Sequence, residues 1–163
     1  MVRDMDFPGI NIRPFHKLDL TALRRLILET IDTSYIDLYP PRAVAFFKRF
    51  HGELEILERA SRGILLVAER NGDLIATGSL VGSEILAVFV HPTCQRSGLG
   101  KALMTLLESR AVASGITQSR LSVSLASKRF YEDLGYDLFE KGLKDVGEGQ
   151  RLDFWKARKT LAP

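Results

Sequence analysis

Residues 90–101 read Val-His-Pro-Thr-Cys-Gln-Arg-Ser-Gly-Leu-Gly-Lys. An apolar strand-like run is stopped by Pro92 and turned through Gly98 and Gly100 into a leucine-rich helical pattern. The first turn of a helix presents amide N–H groups without intrahelical acceptors, and the helix dipole favours an anion there. Glycine lets the backbone approach a ligand closely and adopt torsions closed to other residues. Together these features describe a main-chain cradle for phosphate, to which Arg96 and Lys101 add charge. Two nucleotide motifs of similar outline fail. A Walker A loop requires glycine at 95 and Ser or Thr at 102, where the chain has Gln95 and Ala102; the dinucleotide fingerprint requires glycine at 103, where Leu103 stands. A glycine turn that only starts a helix is the plain alternative, and Gly98-x-Gly100 alone does not outvote it.

The elements that position this loop follow from pattern. A first strand is expected at 11–14, then a helix capped by Asp19 with Leu20, Leu23, Ile27 and Ile31 at helical spacing. Pro40-Pro41 opens a second helix whose apolar stripe is Ala43, Phe46, Phe47, Phe50 and Leu54. Its main role is core packing, with one or two rings left to line a cavity. Strands are expected at 64–69 and 74–81 around the Asn71-Gly72 turn, and at 84–90. A helix follows at 99–113, with Gly115 at its exit. Beyond it come a strand at 120–124, a helix at 126–134, a strand at 136–140, a polar loop holding Gly142, Gly147 and Gly149, and a last strand at 152–156. This order, with a central antiparallel meander, predicts a layered α/β (α+β) fold rather than a doubly wound parallel sheet.

The chain has 163 residues and a mass of 18.3 kDa, enough for one domain (1–163) with its own core. Hydrophobic residues make up 45% and charged residues 26%, which excludes a disordered tail. A formal charge of +3 arises from 23 basic and 20 acidic residues interleaved along the chain, so no nucleic-acid partner is expected. Cys94 is the single cysteine, and His16, His51 and His91 are scattered, so neither a disulfide nor a metal site is expected. The two aspartates in residues 1–6 argue against a signal peptide, and the longest apolar stretch, 85–90, is far short of a membrane span. A cytoplasmic location with no membrane partner is expected.

Gln95-Arg96-Ser97-Gly98-Leu99-Gly100 resembles the acyl-CoA signature of the Gcn5-related N-acetyltransferases (GNAT), Gln/Arg-x-x-Gly-x-Gly/Ala. Val88-x-Val90-x-Pro92 resembles that family's fourth strand. Phe130-Tyr131-Glu132-Asp133-Leu134-Gly135-Tyr136 resembles its second signature, a short helix ending Tyr-Glu-x-x-Gly-Phe/Tyr. The two signatures lie in the family's order and at its usual separation.

The resemblance implies a mixed, mostly antiparallel sheet of six or seven strands splayed into a V, with about four helices. It implies acetyl-CoA between the strands at 84–90 and 120–124. By that resemblance the main-chain N–H groups of Arg96, Ser97, Gly98, Leu99 and Gly100 hold the pyrophosphate, with Gln95 in the signature and Lys101 nearby. Phe89 and Val90 meet the pantetheine arm, and one of their N–H groups serves as oxyanion donor. Ser124 stands where many relatives place an asparagine against that arm.

Acetyl transfer to an amine needs a neutral amine, a polarised carbonyl and a protonated leaving thiol. Strand alternation puts Glu84 on one face with Leu86, Val88 and Val90, and Glu84 resembles the general base of certain relatives. A solvated strand-end glutamate is the equally weighted alternative. Tyr131 matches the tyrosine that protonates the departing thiolate in many relatives. The acceptor enters, by the same resemblance, past the first two helices and the last loop. There the chain offers Asp32, Tyr35, Asp37, Tyr39, Phe46, Phe50 and the loop 144–150, an acidic and aromatic rim suited to a cationic amine.

These features predict an acetyl-CoA-dependent N-acetyltransferase that works by direct attack in a ternary complex on a small-molecule or peptide amine. A protein N-terminus or lysine is the alternative acceptor. A non-catalytic acyl-CoA sensor or interaction module is the alternative of a different class. A homodimer is expected from the family and from exposed sheet edges.

Overall fold

The computed structural model describes residues 7–163. Residues 1–6, on which the expectation of no signal peptide rests, lie outside them.

β2 (Ile64–Arg70) and β3 (Asp73–Val81) form a hairpin whose turn residues Asn71 and Gly72 have φ of 53° and 83°, the positive values a tight hairpin turn demands. Within β2, Leu65 and Val67 enter one core while Leu66 and Ala68 enter another. A period of two with both faces apolar makes a strand that must be covered on both sides. One cover is α1 (Leu20–Ser34), α2 (Pro41–Phe50) and α3 (Glu53–Arg62), through Leu23, Ile27, Ile31, Ala43 and Ile56. The other is α4 (Leu99–Ala113), through Leu99, Leu103, Met104 and Leu107.

With β1 (Ile10–Pro14), β4 (Glu84–Val90), β5 (Gln118–Val123), β6 (Asp137–Gly147) and β7 (Gln150–Thr160), the sheet has seven strands in the order β1-β2-β3-β4-β5-β7-β6. Every neighbouring pair is antiparallel except β4 and β5. Those two share one Cα pairing, Glu84 with Arg120, and then part. The sheet is therefore the mixed, mostly antiparallel, splayed one expected. With α5 (Lys128–Asp133), the described residues hold five α-helices, in keeping with the about four expected.

Four local expectations are corrected. The stripe from Ala43 to Leu54 is not one helix: it breaks at His51 and Gly52, and Leu54 is 78% exposed on α3. Asp19 does not cap α1 with its side chain. Its carboxylate instead accepts from the His16 N–H and from Arg13, which ties β1 to the 3-10 turn before α1. The glycine-rich loop after 140 is strand: β6 and β7 pair along their length and turn at Glu148 and Gly149, with φ of 52° and 73°.

The fourth correction bears on the site. Leu86 pairs with Ser79 and Phe89 with Thr77, so Ala87 and Val88 together face the single residue Gly78. This is a β-bulge, with Ala87 at φ 55°. It flips the alternation: Ile85 points into the α4-side core, yet Phe89, four residues on, points into the α1–α3 side. Glu84 and Leu86 consequently share a face with Ala87 and Phe89. Val88 and Val90 turn to the other face, not to the side of Glu84 as strict alternation predicts.

Candidate active site

The parting of β4 from β5 leaves a gap that a single continuous sheet would have closed with hydrogen bonds. Two adjoining cavities fill it, of about 270 Å³ and 480 Å³. Both are bordered by Tyr35, Val88, Phe89, Ser127 and Tyr131, which form a neck between them.

The larger cavity runs from the neck to the strand–helix loop, where Val90, Gln95, Arg96, Gly98, Gly100, Lys101 and Phe130 line it. The loop is fixed from within. Gln95 Nε2 donates to the Val90 carbonyl at 3.0 Å, and Ser97 Oγ donates to the Cys94 carbonyl at 2.6 Å. Arg96 and Gly98 both take positive φ, 60° and 85°, which winds the backbone inward. Gly98 is the N-cap of α4 and supplies no side-chain acceptor. Among the described residues, the N–H groups of Arg96, Ser97, Gly98, Leu99, Gly100 and Lys101 donate to no protein acceptor. Six adjacent orphan donors at a positive helix end suit a diphosphate. Gly100 has a second duty: a Cβ there would meet the Phe130 ring at 3.2 Å, so its absence lets α5 approach α4.

The expected cofactor-side residues divide by what they do. Ser97 and Leu99 do not line the cavity with side chains: Ser97 Oγ is spent on the loop, and Leu99 is anchored in the core. They offer main-chain N–H groups alone. Gln95 braces the end of β4. The His91 N–H donates to the Ile75 carbonyl, so by antiparallel alternation the peptide groups of Phe89 face β3 and those of Val90 face the gap. Val90, rather than Phe89, therefore presents a free N–H. Ser124 lines the smaller cavity, with its Oγ 3.1 Å from Ser127 Oγ.

The smaller cavity is walled by Phe46, Phe47, Phe50, Tyr35 and Phe154, with Glu84 and His51 as polar groups and Lys144 at its edge, 4.6 Å over the Phe46 ring. Partial burial raises the Glu84 carboxyl above its usual value, and among the described residues no cation pairs with it. Tyr131 is 8% exposed at the neck. Burial pushes its phenol up, and the neighbouring Tyr35 and Tyr136 push it further, so it is protonated at neutral pH.

Three expected acceptor-side residues lie elsewhere. Asp32 lines neither cavity and pairs with Lys48 on the surface. Tyr39 is buried behind the wall: its hydroxyl donates to the Asp153 carbonyl and accepts the Leu125 N–H, both at 2.8 Å. Asp37 is exposed and also outside the lining. The rim is thus aromatic, with Glu84 as its acid, and Tyr35, Phe46, Phe50 and, from the loop 144–150, Lys144 are the expected residues that do line it. Sequence pattern missed Ser127 and His51. The Gly52 that follows His51 and breaks the aromatic stripe was the available signal for the latter.

Comparison with known proteins came down to fold and one family. Residues 61–138 match the family model described as an acetyltransferase (GNAT) domain. Against the curated proteins, no sequence match was found. Among solved structures, a GCN5-related N-acetyltransferase from Rhodopseudomonas palustris superposes with a TM-score of 0.85 at 22% identity, covering 98% of this chain and 100% of that one. The PaiA N-acetyltransferase from Thermoplasma acidophilum, solved with coenzyme A, gives 0.72 at 19% identity, covering 94% and 99%. YncA from Salmonella typhimurium, solved with acetyl-CoA, gives 0.66 at 20% identity, covering 95% of each chain. At these identities the structural likeness establishes the fold.

Proposed function

We propose that the chain is a GNAT-family enzyme, as the family match over residues 61–138 supports, and that it transfers an acetyl group from acetyl-CoA to a primary amine within a ternary complex. The observation that carries this reading is the row of orphan N–H groups from Arg96 to Lys101 at one end of the gap, with Glu84 and Tyr131 further along it. The donors fit a diphosphate, and acetyl-CoA supplies the activated acetyl group.

Under this reading each residue has a defined task. The Arg96–Gly100 amides hold the diphosphate, with Lys101 adding charge at the helix start. The Val90 N–H faces the gap and is the oxyanion donor. Glu84, whose raised pKa makes it a stronger base than an exposed carboxylate, takes the proton from the amine through intervening water. The amine lone pair forms the new C–N bond as the C–S bond breaks, and Tyr131 gives its proton to the leaving sulfur. The Glu84 proton then returns to Tyr131 through solvent, so the sum is one amide and one thiol. The aromatic walls around Tyr35 and Phe46 favour a small or peptide amine with an apolar body over an amine presented on a flat protein surface.

We also assign one domain over 1–163 and a cytoplasmic homodimer. The single cysteine supports a reducing compartment, and the open edges at β1 and β6 support pairing of copies. No described helix is long and apolar enough to cross a membrane. The test is thiol release from acetyl-CoA across a panel of amines. Amine-dependent release with intersecting double-reciprocal lines is expected. Binding of acetyl-CoA without amine-dependent release would instead identify a binding module.

A further inference from the structure

A groove beside the acceptor cavity holds a buried cation with no partner. Phe50, Glu84 and Leu86 border both spaces, so the groove continues the acceptor cavity. Its far wall is α3, from which Glu55, Glu58, Arg59 and Arg62 project. Arg59 is 7% exposed and its Nε is shielded without a hydrogen-bond partner. Among the described residues, the guanidinium makes neither a salt bridge nor a hydrogen bond, although weaker surface pairs of other arginines are present.

No nearby acid comes within salt-bridge distance of it, although the charge of Glu55, one turn back on α3, acts on it. Glu58 is bonded to Arg62 at 3.1 Å. Glu55 folds back over Gly52, with its Oε2 2.6 Å from where a glycine Cβ would stand. Glu84 lies across the groove and has no cation within salt-bridge distance. His51, 5% exposed at the α2–α3 break, is neutral beside Arg59, and its Nδ1 is likewise unpartnered. A charge taken out of water without a partner is strongly unfavourable, and structures hold one where something else completes it. An arginine fork matches a carboxylate with two parallel hydrogen bonds.

We propose that Arg59 is the acceptor-recognition residue for an anionic group, so that the acceptor is a primary amine with an apolar body and a carboxylate at its far end. This rests on the acetyl-transfer reading. Spacing sets the length. Leu86 borders the groove and Phe89 borders the neck; their β3 partners Ser79 and Thr77 are two residues apart, so across the bulge they stand roughly 7 Å apart at the rise of a strand. Amine and carboxylate are therefore separated by an extended apolar chain, not held on one carbon as in an α-amino acid.

The test titrates the coenzyme A-loaded protein by calorimetry with ω-aminooctanoate and with its neutral amide, ω-aminooctanamide. Wild type is expected to bind the acid about tenfold or more tightly than the amide, the range of one charge-assisted pair. Arg59→Met removes that preference without changing coenzyme A affinity, and Arg59→Lys keeps part of it. Because Arg59→Met replaces a buried unpaired charge with an apolar side chain, its Tm is expected to equal or exceed that of wild type; a structural ion pair would give a fall. Equal binding of acid and amide by wild type, no binding of either, or a preference that survives Arg59→Met overturns the proposal. Thiol release from acetyl-CoA with the same two amines reports separately on transfer: turnover of both without preference leaves the acetyltransferase standing and removes the Arg59 assignment.

Discussion

Glu84 and Arg120 form the one Cα pair that joins β4 to β5, and the Arg120 N–H donates to the Ser83 carbonyl at 2.9 Å beside it. Beyond that pair the strands separate, so Glu84 marks the closed end of the gap and the phosphate cradle its open end. The bulge at Ala87–Val88 then keeps Glu84 and Phe89 on one face despite their odd spacing. The Glu84 carboxylate thus stands at the closed end and faces the aromatic cavity.

Glu84→Gln is expected to lower kcat/KM by roughly 10²–10⁴, the usual worth of a general base. The sign of the pH effect follows from burial. The carboxyl is raised, and only its ionised form accepts a proton, so wild-type activity rises with pH through a value above the ordinary carboxylate range. Glu84→Gln loses that acid limb. A limb that persists in the variant assigns the base elsewhere.

Tyr131→Phe is expected to reduce kcat by roughly 10² while leaving acetyl-CoA affinity unchanged, measured by rapid mixing and calorimetry. Burial keeps the phenol protonated to higher pH than a free tyrosine. Activity in wild type therefore holds through pH 9 to 10, about where an ordinary tyrosine would begin to ionise. Unaltered kcat in the variant removes Tyr131 as the acid.

Tyr39→Phe separates structure from chemistry. Its hydroxyl joins the Asp153 carbonyl of β7 to the Leu125 N–H after β5, and phenylalanine leaves both groups without it. Urea unfolding should show a loss of about 1–3 kcal/mol, with KM for the amine unchanged. A large KM effect with unchanged stability would return Tyr39 to the acceptor site.

His51 links stability to pH. Burial first, and the charge of Arg59 second, lower its pKa from 6.5 to about 3. Between those values the unfolded chain binds a proton that the native chain does not. The stability this neutral imidazole permits is complete above about pH 6.5 and falls as pH drops, by about 1.4 kcal/mol per unit when the difference is a full proton. His51→Leu should flatten that slope in urea titrations. A slope unchanged in the variant places the titration on another group.

The sequence was most legible where turn chemistry and hydrophobic period agreed. β4 and α4 have the expected ends because Pro92 stops the one and Gly98 and Gly115 bound the other. It was least legible where tertiary contacts overrode local pattern. Gly142 reads as loop, yet it stays in β6 because the Phe154 ring of β7 lies across it and fills the space of the missing side chain. The bulge at Ala87 has no signal in an apolar run, so the faces of Val88 and Val90 came out reversed. Charges misled in the same way: Asp32 looked like a rim acid, but Lys48 one helix away takes it. The run of unpaired amides at 96–101 was legible because backbone donors need only glycine and a helix start. Arg59 was not, since nothing in a one-dimensional pattern distinguishes a buried cation from a solvated one.

In the proposed reaction main-chain amides grip the diphosphate, and amide NMR during titration with coenzyme A reads this directly. The N–H resonances of Ser97, Gly98, Leu99 and Gly100 are expected to move downfield together and saturate at one equivalent, while Gly98→Ala, strained at its φ of 85°, weakens the binding. Resonances from Arg96 to Lys101 that stay fixed while others shift would contradict it.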